Sequence, residues 1–415
     1  MAQIIEKFTV PLLWVLDILG LMPAPFSKPT CWTKLRQLIS KVLAVFQAST
    51  LLFHCYDYLS DTIPKFTHFS SYILLIVYIT EGVTLPIAII LLRKAGAPIH
   101  SLLKEISEKF SGIITKEDKR TVVIFAVTWF VACLGPGIYY FRDDLYENLE
   151  SDLVQFREKY PAPIIPDNVA RWLTALFDVF WTVSIFSKEA IQFLVVFVAL
   201  ILGIIFRRIA LNVTFDPDVE VPEKVQVKQR ELIVQAFEDH KFLMDKMREF
   251  DKQLNAVNFI RCMELYGLCL ACGYSISQRF SEAMNARSDR MAILAGMELI
   301  QYGVLLMLHV GALVFLFEKS QMIANALDGE AGKDRDLKRY VKQIREEPVS
   351  ITMGGVTFSR ESAIATAGST MGYILIFSEL ADSGKDFDKN EFVEKLKLFV
   401  RNSSSLYVPA RGKGV

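Results

Sequence analysis

The sequence predicts an all-α, polytopic membrane protein with seven transmembrane helices. Three observations carry that reading. Mean hydropathy is positive, +0.32. Of the 415 residues 52% are hydrophobic, yet 22% are charged, and the charges gather in blocks between long apolar runs. Seven such runs can be drawn, most of them near the ~20 residues a helix needs to cross a bilayer. Formal net charge is zero, so bulk charge does not draw the chain to nucleic acid, and the expected surroundings are a lipid bilayer and aqueous loops.

The first apolar stretch, residues 8–22, is short and carries Asp17. It lacks the basic leader and small-residue cleavage site of a signal peptide. It is expected to be an interfacial or buried cap helix, not a span. The seven spans are residues 38–58, 68–92, 121–141, 172–206, 256–278, 291–317 and 362–381. The fourth is too long for one crossing and carries Asp178, Lys188 and Glu189, so part of it is expected to project or to line a wet cavity. The fifth carries Arg261 and Glu264 near its start. The seventh is rich in small residues, which let helices approach closely.

Orientation follows from the basic residues of the loops. The segments 93–120, 207–255 and 318–361 hold seven, nine and eight Lys or Arg, against one, four and three in 59–67, 142–171 and 279–290. The richer loops belong on the cytoplasmic side with the amino terminus. The expected organisation is then a cytoplasmic amino-terminal segment with its cap helix (1–37), transmembrane helices one to four (38–206), a cytoplasmic anchor-helix region (207–255), transmembrane helices five to seven (256–381, interrupted by a cytoplasmic segment at 318–361), and an extracellular tail (382–415).

The 207–255 segment is patterned. After Pro222, Ile233, Phe237, Met244, Met247 and Leu254 recur mostly at helical steps, which predicts an amphipathic helix running directly into the fifth span. One helix of about 55 residues would be about 80 Å long and must project well beyond the bilayer. Its stripe then needs a partner, in other projecting helices or in another subunit, unless it lies on the membrane surface.

No enzyme constellation is present: no phosphate loop, no paired-histidine metal motif, no nucleophile elbow. The expectation is a non-enzyme with no cofactor and no metal. Cys269 and Cys272 share a helix face, but no His-Cys-carboxylate cluster joins them, and small packing residues are the expected role. His309 is read as a packed or hydrogen-bonded helix residue. The ionisable residues inside spans (Glu81, Asp178, Lys188, Glu189, Glu298, Glu379) must face protein, water or a partner, because a charge in hydrocarbon costs several kcal/mol. Adjacent Lys188 and Glu189 point about 100° apart and do not simply neutralise each other. Glu298, Gln301 and Tyr302 lie at the depth of Tyr72 and Tyr78, Tyr139 and Tyr140, Phe177, Phe180 and Trp181. Aromatics interleaved with a few polar groups suit a small-molecule pocket; a lipid-interface belt is the alternative. Ile376, Glu379 and Leu380 share one face of the last helix. Around an axis they would give a carboxylate ring beside apolar rings, which selects cations and gates by dewetting; alone, Glu379 would be an acid in water.

Near the end of the chain Gly354 and Arg360 stand six apart, Gly368 and Gly372 follow, and Tyr373 precedes five residues (374–378) that lead into Glu379 and Leu380. This spacing resembles the closing signature of insect-type gustatory receptors, which has a glycine at the place of Gly368, Thr at that of Gly372, and Gln-Phe in the slot of Glu379 and Leu380. The run 345–349 is similar to the approach to this helix in the related odorant receptors. The resemblance implies a ligand-gated, non-selective cation channel of chemosensory type: a homotetramer in the plasma membrane, joined by a cytoplasmic anchor built from extensions of helices four to seven, with the last helix lining the pore. It implies an outward-opening pocket among helices two to six for a tastant or odorant. Carried onto this chain, the pore and gate fall to Tyr373, Ile376, Glu379 and Leu380. The pocket falls to Tyr72, Tyr78, Tyr139, Phe177, Trp181, Lys188, Glu298, Gln301 and Tyr302, and subunit contacts to Ile233, Phe237, Met247 and Arg360. The rivals are a G-protein-coupled receptor, whose amino terminus would be outside and whose loop disulfide and Asn-Pro pair are missing here, and a transporter, for which no internal repeat appears.

Overall fold

The computed structural model describes residues 12–13, 15–22, 31–62, 69–110, 112–143, 153–154, 166–213, 223–283, 289–331, 335–346, 350–352, 355, 357–365, 368–369 and 372. Among the described residues six long helices and a short one follow in order: α1 (Cys31–Thr62), α2 (Phe69–Phe110), α3 (Lys116–Asp143), α4 (Asp167–Asn212), α5 (Glu223–Ala283), α6 (Asp289–Ala331) and α7 (Arg335–Glu346). No strand occurs among the described residues. The first six cover the described residues of the first six expected spans, the second from residue 69, and extend most of them. Of the seventh, residues 360–365, 368–369 and 372 are helical.

Several helices are longer than the ~20 residues of one bilayer crossing, α5 and α2 among them. α5 is one unbroken helix of 61 residues, about 90 Å at 1.5 Å per residue. The expected join of anchor helix and fifth span is therefore present. α2 corrects the sequence reading: residues 93–110, expected as loop, continue the helix past Pro86 and Pro98. The reason is packing. Leu92, Ala95, Ile99, Leu102, Ile106 and Phe110 are all buried at helical spacing, mostly against α5, which offsets the lost hydrogen bonds at proline.

α4 is the central helix. Residues 194–199 are each at most 1% exposed, and this stretch is apolar all round. It packs most closely on α6. A Cβ on Gly203 would lie 2.6 Å from Cδ1 of Phe315, so only glycine lets the two helices meet at that level. The outside of the bundle is apolar too. Leu38, Ile39, Val45 and Tyr56 on α1, Ile124, Phe130 and Val131 on α3, and Ile300 and Met307 on α6 are each at least half exposed. A surface of this kind suits hydrocarbon, not water. Among the described residues, four helical segments are long and apolar enough to cross a membrane: Gly82–Phe110, Phe186–Asn212, Arg230–Gly273 and Gly296–Asp328.

The amino-terminal stretch forms the expected buried cap. Leu12, Leu13, Leu16, Leu21 and Met22 are buried. Asp17 pairs with Arg36 at 2.6 Å, Gln47 donates to the Leu19 carbonyl at 2.7 Å, and Arg93 donates to the Gly20 carbonyl at 2.5 Å and to Ser40 Oγ at 3.1 Å. Gly20 has φ +76°, and a Cβ there would sit 2.6 Å from the Ser40 carbonyl oxygen. Glycine is required on both counts.

Between α2 and α3, Thr115 and Asp118 cap α3 reciprocally. Arg208 of α4 then grips the Asp118 carboxylate with two nitrogens, at 2.7 and 2.9 Å. Burial opposes ionisation of Asp118, but the Arg208 and Thr115 bonds outweigh it and hold the carboxyl below its ordinary value.

Along the projecting half of α5, Met244, Met247 and Leu254 of the expected stripe are buried within the chain. Phe237 meets the Tyr340 ring of α7 edge-on at 4.5 Å, and Val341 and Ile344 of α7 are buried beside α6 and α5. Met247, expected at a subunit contact, is wholly buried inside its own chain. Ile233 and Phe237 are half-buried and Arg360 is exposed.

Candidate functional site

The site begins with α5. At 100° per residue, Asp251, Asn258, Arg261 and Cys272 fall within about 80° of one another around its axis, and Glu264 stands one step further round. That polar strip faces the bundle interior. Arg261 and Glu264 are each 1% exposed.

Opposite stand Lys188 and Glu189 of α4, both buried. Neighbours in sequence, they diverge as the helix predicts, and each finds its own counter-ion on α5. Lys188 Nζ lies 3.1 Å from Glu264 Oε1, and Arg261 lies 3.7 Å from Glu189 Oε1. Arg261 also pairs with Glu264. Two carboxylates and two cations thus compensate within one buried quartet. Gln192, one turn along α4, accepts from Arg261 at 3.3 Å and donates to the Leu305 carbonyl of α6 at 3.4 Å. Thr84 of α2 donates to Glu264 at 3.4 Å, and Cys133 of α3 to Glu189 at 3.7 Å. Five helices meet at this cluster. Removing one charge would leave its counter-ion buried and uncompensated, a loss of about 3–5 kcal/mol.

Below it, His309 Nε2 donates to Asn258 Oδ1 at 2.6 Å, and that bond places the imidazole proton on Nε2. Asn258 Nδ2 donates to the Thr352 carbonyl at 2.9 Å. Thr352 in turn donates to Asp251, from its backbone N–H at 2.5 Å and from its hydroxyl at 2.9 Å. Above the quartet, the Cys272 thiol donates to Glu298 at 3.7 Å.

The expected pocket residues are thus distributed. Lys188 belongs to the quartet. Glu298, Gln301 and Tyr302 are half-buried on α6, with Glu298 tied to α5 and Tyr302 packed against the core. Tyr72 and Tyr78 in α2, Tyr139 in α3 and Phe177 and Trp181 in α4 have helical backbones, and their side chains lie outside the described residues. So do Tyr373, Ile376, Glu379 and Leu380. A cavity of about 150 Å³ lies elsewhere, between α5 and α7, lined by Phe237, Lys241, Met244, Tyr340 and Ile344. The six cysteines form no disulfide, and Cys262, Cys269 and Cys272 are buried. Among the described residues no group of three or more metal-ligating side chains gathers.

Sequence reasoning passed over Gln192, Asn258, Asp251 and Thr352. A signal existed for two of them. Gln192 and Asn258 interrupt apolar runs, and an amide in such a run needs a hydrogen-bond partner as surely as a charge does.

These features define a helical, multi-pass membrane protein whose polar groups converge inside the bundle. No protein-family model matches the chain, and no curated protein matches it. Solved structures do. The insect olfactory receptor OR5 from Machilis hrabei aligns with a TM-score of 0.63 and 12% identity, over 89% of this chain and 97% of the receptor. The same receptor in complex with eugenol aligns with a TM-score of 0.60 and 12% identity, over 91% and 98%. At that identity the likeness establishes the fold: this chain has the fold of an insect olfactory receptor along nearly its whole length.

Proposed function

We propose that the protein is a chemosensory, ligand-gated cation channel of the plasma membrane, of gustatory-receptor type. It works as a homotetramer with the amino terminus inside and the last helix lining the pore. One observation carries the reading: nearly all of this chain aligns with nearly all of a receptor that has been solved with a small odorant bound. The spacing of Gly354, Arg360, Gly368 and Tyr373 supports it independently. The ligand would lie among Tyr72, Tyr78, Tyr139, Phe177, Trp181, Glu298, Gln301 and Tyr302, with Lys188 beneath. Ile233, Phe237 and Arg360 would face neighbouring subunits. Tyr373, Ile376, Glu379 and Leu380 would form pore and gate, Glu379 as a ring of four carboxylates that concentrates cations.

The test is voltage clamp of oocytes against a panel of sugars, amino acids and odorants, eugenol included. Ligand-evoked cation current is expected. Glu379→Lys should reduce it at least about tenfold, and Glu379→Gln should keep it while weakening calcium block. Robust surface expression with no evoked current, or equal conductance and block in all three forms, overturns the channel or its pore register respectively. A glycan that vanishes on Asn212→Gln would overturn the orientation.

A further inference from the structure

The segment leading into the last helix is pinned at several points. Ile351 is 0% and Phe358 4% exposed. Between them the chain turns at Gly355, with φ +83°. Ser359 and Ser362 then cap the helix reciprocally: each backbone N–H donates to the other's hydroxyl, at 2.8 and 3.3 Å. Apolar pegs and a cap explain why the helix starts at residue 360. They do not explain Thr352, whose backbone N–H, hydroxyl and carbonyl are all taken by side chains of α5, namely Asp251 and Asn258. Asn258 is in turn held by His309 of α6.

We propose that Asp251, Asn258 and His309 form a tether that positions the final helix, and that α5 is the rod that drives it. One helix carries the whole chain of contacts. From Asp251 to Cys272 the strip covers about 30 Å at 1.5 Å per residue. Along it come Thr352, then His309, then the Lys188–Glu189 quartet, then Glu298. A rotation or slide of α5 that shifts Glu298 or the quartet moves Thr352 by a comparable amount, because the helix interior is rigid and its polar contacts are discrete. Asp251, Asn258 and His309 are positioning residues: they act on the pore helix through the backbone at 350–352. The functional meaning rests on the channel reading above, but the tether itself does not.

Hydrogen–deuterium exchange on the full-length protein in lipid nanodiscs tests it without any current. Asp251→Ala and Asn258→Leu should each speed exchange in peptides covering 350–365 by about tenfold or more, with the interiors of α4 and α6 unchanged. Asp251→Asn and Thr352→Ser, which keep an acceptor and a hydroxyl, should restore most of the protection. Thr352→Val, which leaves α5 untouched, should give a partial increase of the same sign. For the rod, Lys188→Met should alter exchange at 350–365, although it lies on another helix. Protection at 350–365 that is unmoved by Asp251→Ala and Thr352→Val overturns the tether. So does loss of protection spread evenly over the whole bundle, or failure of the conservative variants to rescue. A local effect of Asp251→Ala with none from Lys188→Met overturns the rod alone. Altered exchange in a protein that passes no ligand-evoked current keeps the tether and removes the channel.

Discussion

The two halves of α5 treat charge in opposite ways. In the projecting half, charges lie outside: Lys246 meets Glu105 at 2.7 Å with the carboxylate 44% exposed, and Arg248 and Asp245 pair in the open. The apolar Leu243, Met247 and Phe250 are inside. In the other half Arg261 and Glu264 are inside, while Phe259 and Met263 are 42% and 46% exposed. The helix is the same; its surroundings differ. In water, apolar area is the group to hide. In lipid, it is the polar group that must be hidden and satisfied. In where it places charge, α5 therefore inverts between Leu254 and Asn258, while Val257 and Leu265 stay buried.

The inversion can be broken most severely at Arg261. Arg261→Met leaves two carboxylates facing Lys188 alone and should cost about 3–5 kcal/mol, read as a large fall in thermal unfolding temperature in detergent. A sharper form changes all four ions, with Lys188→Met, Glu189→Leu, Arg261→Met and Glu264→Leu together. That variant should be at least as stable as any of the singles, because compensated buried ions are often no better than apolar packing. A quadruple variant less stable than Arg261→Met would show that the quartet is a structural necessity. Next in size, Phe259→Lys or Met263→Lys puts a charge on the lipid face and should cost about 2–3.5 kcal/mol, seen as lost surface expression. In the projecting half the contrast should nearly vanish: Lys246→Ala should cost roughly 0.2–1 kcal/mol, less in high salt.

The smallest effect should be one of pH, at the Asp118–Arg208 joint. The Asp118 carboxyl is held below its ordinary value in the folded chain. Its contribution is therefore complete above the unfolded carboxylate pKa of about 4 and is lost as pH falls through the lower folded value. Unfolding of the wild type should show a modest acid sensitivity there that Asp118→Asn lacks; identical acid profiles would remove the joint from the account.

How much of this the sequence discloses depends on how far apart the partners lie. The helices are local features. The continuity of α5 is visible in the recurrence from Ile233 to Leu254, the cap in the short run broken by Asp17, and the divergence of Lys188 and Glu189 in helix geometry alone. The extension of α2 is not visible, since two prolines argue against it and only its burial on α5 supports it. The quartet was half legible. Its four residues stand out as ions in apolar sequence, but their pairing does not, because Lys188 and Glu264 are brought together by the bundle. Asp251 and Thr352 give no local sign at all: one sits among surface charges, the other in a short stretch without regular structure.

The cap at the amino terminus carries a consequence for the order of events in synthesis. Its carbonyl at Gly20 is received by Arg93, 73 residues later. At about 5–20 residues per second, the ribosome reaches that arginine roughly 4–15 s after the cap has been made. During that interval Leu12, Leu13 and Leu16 have α1 at most to lie against. The nascent chain must park this short apolar stretch at the membrane surface, or in the care of the insertion machinery, until α2 is in place and the clamp can close.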